Sequence, residues 1–85
     1  MSYKERKDSK GYFHKGWRND AEEYHRLDGP AYISYYPNGS IRIEEFWING
    51  KYIGCNEFGF WSLWDSLTEA DKQNPNLLKY LSRYL

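Results

Sequence analysis

Cysteine and histidine are nearly missing from this chain: there is one of the former, Cys55, and two of the latter, His14 and His25. No disulfide framework and no conventional zinc pattern can be written from them. Net charge is missing too, because twelve basic residues balance twelve acidic ones. A neutral chain has no global field to steer it to nucleic acid or to an anionic membrane, and it is not an acidic mimic of DNA. There is neither a signal-peptide core nor an apolar run long enough to span a bilayer, so the expectation is a soluble, cytoplasmic protein with no membrane contact. Catalytic raw material is equally sparse. Glu44 and Glu45 are adjacent on one strand and point to opposite faces, Cys55 has no CxxC partner, and Ser34, Ser40 and Ser62 lie in no GxSxG setting. No enzyme, cofactor or metal is expected.

With 85 residues the chain makes a single domain, and a domain this short buries only about 60 to 65% of the surface its unfolded form exposes. It compensates with aromatic mass, nine Tyr, four Trp and four Phe. Large rings bury much area for little rotamer entropy and are enriched at protein interfaces.

The organising stretch is Asp28 to Gly54, alternating apolar and polar residues cut by Asn38-Gly39 and Asn49-Gly50. That pattern predicts a three-stranded meander. Pro37 holds φ near −65°, which excludes a type I′ turn at Pro37-Asn38 and favours a three-residue loop with Gly39 left-handed, pairing Tyr36 with Ser40. Asn49-Gly50 suits a two-residue type I′ turn, with Tyr52 beside Trp47. From this register Ala31, Ile33, Tyr35, Ile41, Ile43, Glu45 and Trp47 form the core face. Tyr32, Ser34, Tyr36, Arg42, Glu44, Phe46 and Ile48 form the other, with Arg42 beside Ser34 and Glu44 beside Tyr32.

Residues 1–10 carry little to bury and read as a flexible arm. Gly11 to Trp17 reads as a short irregular strand beside the meander, within a β-region of residues 11–54. His25 to Ala31 reads as a strand-opening device with an Arg26 to Asp28 pair on its surface. In residues 55–85 the period becomes helical. Phe60, Leu63, Trp64 and Leu67 make one stripe, starting near Cys55 or Asn56, with Gly59 as a weak point. Thr68 opens a short turn. Asn74-Pro75 opens a second helix striped by Leu77, Leu78, Leu81 and Leu85. The fold class is therefore α+β, a small antiparallel meander followed by two C-terminal helices.

The run Tyr36 to Gly54, with Asn38-Gly39, Phe46-Trp47 and Asn49-Gly50-Lys51, resembles the MORN-repeat variant family, and the preceding His25 to Ala31 phrase, HRLDGPA, is similar to one in related repeat proteins often encoded by phages. The match covers Trp17 to Gly54. It implies hairpin units used as binding scaffolds, with antitoxin-like relatives. The expected function is a non-enzymatic protein-binding module, in its specific form a phage-encoded inhibitor of a bacterial enzyme or defence system, of anti-CRISPR or anti-defence type. The partner-binding residues expected are Tyr32, Tyr36, Arg42, Glu44 and Phe46, because Tyr and Arg are common interface anchors. Two alternatives stand beside it. One is single-stranded nucleic-acid or nucleotide binding on the aromatic face, which neutral charge disfavours. The other is homodimerisation through an open strand edge.

Overall fold

The structure is a computed structural model and describes residues 2–85. Five strands, β1 (Ser2–Lys7), β2 (Phe13–Arg18), β3 (Tyr32–Tyr35), β4 (Ile41–Ile48) and β5 (Lys51–Cys55), follow one another in a single antiparallel sheet of order β1-β2-β3-β4-β5. Two helices, α1 (Asn56–Ser66) and α2 (Pro75–Tyr84), joined through a 3-10 turn at Asp71–Gln73, complete the α+β fold. The smallest dimension is 20 Å, which suits one sheet with one layer of helix on it.

The turns set the frame. Tyr36 N–H donates to the Ser40 carbonyl at 2.8 Å, Gly39 N–H returns to Tyr36 at 2.9 Å, and Gly39 has φ 89°. This is the three-residue loop expected from Pro37. Asn49 and Gly50 have φ 47° and 79°, the paired positive values of a type I′ turn, and Ile48 pairs with Lys51 across them.

The register does not run on unbroken from the first turn. Tyr35 pairs with Ile41, but Ser34 pairs with Ile43 and Ile33 with Glu44, so Arg42 is an extra residue bulged out of β4. One inserted residue exchanges the faces of everything beyond it. Ala31 and Ile33 keep their place on the core side, while Glu44 and Phe46 turn inward and Ile43, Glu45 and Trp47 turn outward. Phe46 is completely buried and Glu44 is 2% exposed. The expected core face of β4 is thus corrected, and the cause is tertiary packing. Phe46 meets Phe60 edge-on with centroids 6.3 Å apart, and the Glu44 N–H donates to the Asn56 side chain at 3.1 Å. Trp47 does sit beside Tyr52, at 5.3 Å between centroids, but away from the helices. Glu44 is not beside Tyr32, whose partner is Glu45.

The core is Phe46, Phe60, Leu63 and Leu77, with Trp61, Trp64, Tyr80, Leu81 and Tyr84 packed around it. In α1 Gly59, a weak point by helix propensity, is also a contact: a Cβ there would stand 2.5 Å from the Gly54 carbonyl carbon and oxygen. In α2 the stripe is corrected from four leucines to Leu77, Tyr80, Leu81 and Tyr84, since Leu78 is exposed and Leu85 is 88% exposed. The start signals hold. Thr68 Oγ1 accepts from the Asp71 N–H at 3.1 Å, and Asn74 Oδ1 accepts from the Asn76 N–H at 2.9 Å ahead of Pro75.

The expected flexible arm is also corrected, because Ser2–Lys7 is a full strand paired with β2 along its length. Tyr3 lies on Trp17, with centroids 4.8 Å apart, and Glu5 reaches Lys15 at 3.7 Å. These cross-strand pairs supply what the arm's own composition lacks. The HRLDGPA segment fills the gap where β3 stops short. His25 N–H donates to Trp17 and Arg26 N–H to Trp47, at 3.0 and 3.2 Å, stitching β2 to β4. Arg26 does pair with Asp28, at 2.8 Å, yet it is 9% exposed rather than on the surface. Its guanidinium lies 3.9 Å over the Trp17 ring and donates to the Pro30 carbonyl.

Candidate interaction surface

Both helices lie on one face of the sheet, and the opposite face carries a continuous row of rings. Tyr52 on β5 meets Trp47 on β4, Trp47 meets Tyr24 at 5.4 Å between centroids, and Tyr24 meets Tyr32 on β3 at 5.9 Å. Arg18 caps the row, 4.5 Å over the Tyr24 ring. Gly16 leaves room for Tyr24, since a Cβ there would be 3.1 Å from its ring edge. Nearer the β3–β4 turn a second group forms. Tyr36 packs on Tyr12 at 6.0 Å, and Arg42 lies 5.2 Å over Tyr12 while its Nε donates to Ser34 Oγ at 3.1 Å. Arg42 is the bulged residue itself and keeps the open-face place beside Ser34 that the unbroken register gives it, while the residues after it exchange faces.

Of the residues expected to meet a partner, the structure brings Tyr32, Tyr36 and Arg42 to this open face. Glu44 and Phe46 lie under the helices and offer nothing to a partner. Glu44 is bound by both arms of Arg83, Nη1 to Oε2 at 3.1 Å and Nη2 to Oε1 at 3.2 Å. Burial alone would lower the Arg83 pKa, but the bond to Glu44 and its charge outweigh this and raise it. Loss of water around the Tyr80 and Tyr84 rings raises both phenols. Sequence reasoning missed Tyr12, Tyr24 and Trp47. Tyr12 and Tyr24 stand outside the meander pattern, and Trp47 was placed inward by the unbulged register.

The polar chemistry on the same face is a relay. His14, 9% exposed, holds Tyr32 Oη with Nδ1 at 2.6 Å and Asp8 Oδ2 with Nε2 at 2.9 Å. An ionised carboxylate only accepts, so the Nε2 proton goes to Asp8 and, in the neutral ring, Tyr32 O–H donates to Nδ1. The His14 bond is the main reason the Asp8 carboxyl is held below the usual carboxylate range. Asp8 Oδ1 also accepts from the Lys10 and Tyr12 N–H groups, so the relay fastens the β1–β2 turn to β3. His25 lies elsewhere, its Nδ1 accepting from the Asn49 N–H at 3.0 Å. Cys55 ends β5 and caps α1 through its extended backbone. Among the described residues, no three His, Cys, Asp or Glu side chains are placed to hold a metal ion, and no helix is long and apolar enough to cross a membrane.

Comparison with protein-family models, with curated proteins and with solved structures found no match.

Proposed function

We propose that this protein is a non-enzymatic protein-binding module whose working surface is the sheet face opposite the helices. The observation that carries this reading is the aromatic row Tyr52, Trp47, Tyr24 and Tyr32, left without a covering element in a fold whose other sheet face is packed under helices. A row of Tyr and Trp bordered by Arg18 and Arg42 is the composition that supplies interface anchors. In its more specific form, which rests on the resemblance of the Tyr36 to Gly54 units, the module inhibits a bacterial enzyme or defence system.

The test is affinity capture with the tagged protein from a bacterial host, repeated with Tyr36→Ala, Arg42→Ala and Tyr52→Ala. All three side chains are exposed, and thermal melts of the variants, Arg42→Ala above all because it removes the donor to the buried Ser34 hydroxyl, accompany the capture to show that each is folded. Weaker recovery of one defined partner by these variants supports the reading, and unchanged recovery removes the open face from it. Protection of phage from a defence system by the expressed protein separates the inhibitor form from the general one.

Nucleic-acid stacking is the second reading. It draws on the uneven spread of charge: residues 2–18 hold Lys4, Arg6, Lys7, Lys10, Lys15 and Arg18 against only Glu5 and Asp8. Salt-sensitive binding of a single-stranded oligonucleotide is its signature.

A further inference from the structure

We propose that β1 is a strand-addition edge, and that the partner segment it takes is an extended acidic stretch of polypeptide. This rests on the reading of the protein as a protein-binding module and names the chemistry of one contact.

β1 is the outer strand of the sheet, paired with β2 alone. The Asp8 N–H donates inward to the Tyr12 carbonyl at 2.9 Å. By the two-residue alternation of an antiparallel ladder, Lys4 and Arg6 then turn their backbone groups inward, and Tyr3, Glu5 and Lys7 turn theirs outward. Three N–H and three C=O groups in a row face away from the sheet on residues that are all exposed. Such an edge either is blocked or serves as a template. Pro, a bulge or a covering helix would close it to any strand, and β1 has none of these; what guards it is charge, through the exposed Lys4, Arg6 and Lys7, which disfavours a basic or apolar strand and leaves an acidic one able to add.

The charge says what fits. The basic residues of the β1–β2 hairpin have almost no acidic company, and its two carboxylates are already engaged. Asp8 is taken by His14 and the turn, and Glu5 by Lys15 and by the Tyr3 hydroxyl. No carboxylate among the described residues pairs with Lys4, Arg6 or Lys7; Lys7 lies only over the Phe13 ring, at 5.5 Å.

Two hollows flank the strand, one on each face of the sheet. The first, about 190 Å³, is lined by Lys4, Arg6, Arg18, His14, Tyr24 and Tyr32. The second, about 430 Å³, lies on the helix-bearing side between Lys7, Phe13, Lys15 and Tyr35. Side chains of an added strand point to alternate faces, so successive ones would fall toward one hollow and then the other, each bordered by several cations and by a single carboxylate, Glu5, which lines both and is held by Lys15. Main-chain bonds supply affinity and alternate pockets supply selectivity in this mode of recognition.

A second copy of β1 suits the edge poorly. In the antiparallel register centred on Glu5, Lys4 of one copy stands opposite Arg6 of the other, and like charges directly opposite are destabilising.

The probe is a short capped peptide of alternating threonine and glutamate, added to the full-length protein and followed by backbone amide NMR. The expected result is saturable binding that protects the Tyr3, Glu5 and Lys7 amides. Affinity should fall at least about tenfold in Arg6→Glu and in Glu5→Pro, which removes an outward donor from an edge position that tolerates proline. Where a variant unfolds, the same peptide N-methylated at alternate residues makes the test on the wild-type protein, and its loss of binding supports the proposal equally. Equal binding of a threonine–lysine peptide, undiminished binding of the N-methylated peptide, no binding at millimolar concentration, or binding of oligothymidylate in preference to the acidic peptide each overturns it. Failure here leaves the open-face reading standing if captured partners still depend on Tyr36, Arg42 and Tyr52. Capture that ignores those residues, with the acidic peptide still bound, does the reverse.

Discussion

Glu44 of β4 and Arg83 of α2, 39 residues apart in the chain, meet in a two-pronged ion pair whose acidic member is 3% exposed at its side chain and whose basic member is 42% exposed. A buried carboxylate on an inner strand would be a liability without this partner, and the pair ties the end of α2 to β4. Arg83→Ala should lower stability by about 1 to 3 kcal/mol in urea denaturation, toward the lower figure because water reaches the exposed side of the pair. Adding Glu44→Gln to that variant should recover part of the loss, since the uncompensated charge is then gone.

The bulge at Arg42 makes neighbouring aromatic residues unequal. Phe46→Ala empties a fully buried site and should cost about 3 to 5 kcal/mol, whereas Trp47→Ala removes a half-buried ring from the open face and should cost less than half as much. Equal losses, or a larger one at Trp47, would mean that β4 runs in the unbulged register.

Gly59 has no room for a methyl group. Beyond the 2.5 Å approach to the Gly54 backbone, its Cβ would stand 2.6 Å from the Phe46 ring. Gly59→Ala should therefore destabilise by about 1 to 3 kcal/mol or more through overpacking, although alanine is the better helix former by about 1 kcal/mol. Thermal melts of the two proteins decide the sign.

Acid should loosen the β1–β2 turn. The Asp8 pKa is lowered in the folded protein, chiefly by the bond from His14, so its contribution is complete above the ordinary Asp range and is lost as pH falls through the lower folded value. Asp8→Asn should be less stable than wild type at neutral pH, with the gap narrowing below pH ~4. A gap that is constant with pH would mean that the Asp8 charge is not what the turn uses.

How much of this was legible follows from the kind of signal each residue carries. Local chemistry was readable: Pro37 and Gly39 determined one turn, Asn49-Gly50 the next, and Asn74-Pro75 the start of α2, because each acts within a few residues of itself. The order of strands and helices followed. What could not be read depended on distant partners. The Arg42 bulge is chosen by α1 and α2, which select Phe46 and Glu44 over Ile43 and Trp47, and no pattern within β4 records that choice. β1 has no apolar stripe of its own, and it is a strand because β2 pairs with it along its length, with Trp17 and Lys15 meeting Tyr3 and Glu5 across the ladder. The candidate surface divides the same way. Tyr32, Tyr36 and Arg42 precede the face exchange and were placed on the open side, Glu44 and Phe46 follow it and were misplaced, and Tyr24 reaches the surface by a loop that crosses the sheet.

The most direct test of the open face is site-specific photocrosslinking in the bacterial host. A photoreactive amino acid is placed at Tyr52, 47% exposed on the aromatic row, or at Phe58, 76% exposed on α1. A discrete crosslinked partner is expected from position 52, lost with Arg42→Ala, and none from position 58. The same partner captured from position 58 and not from position 52 would contradict the open-face reading.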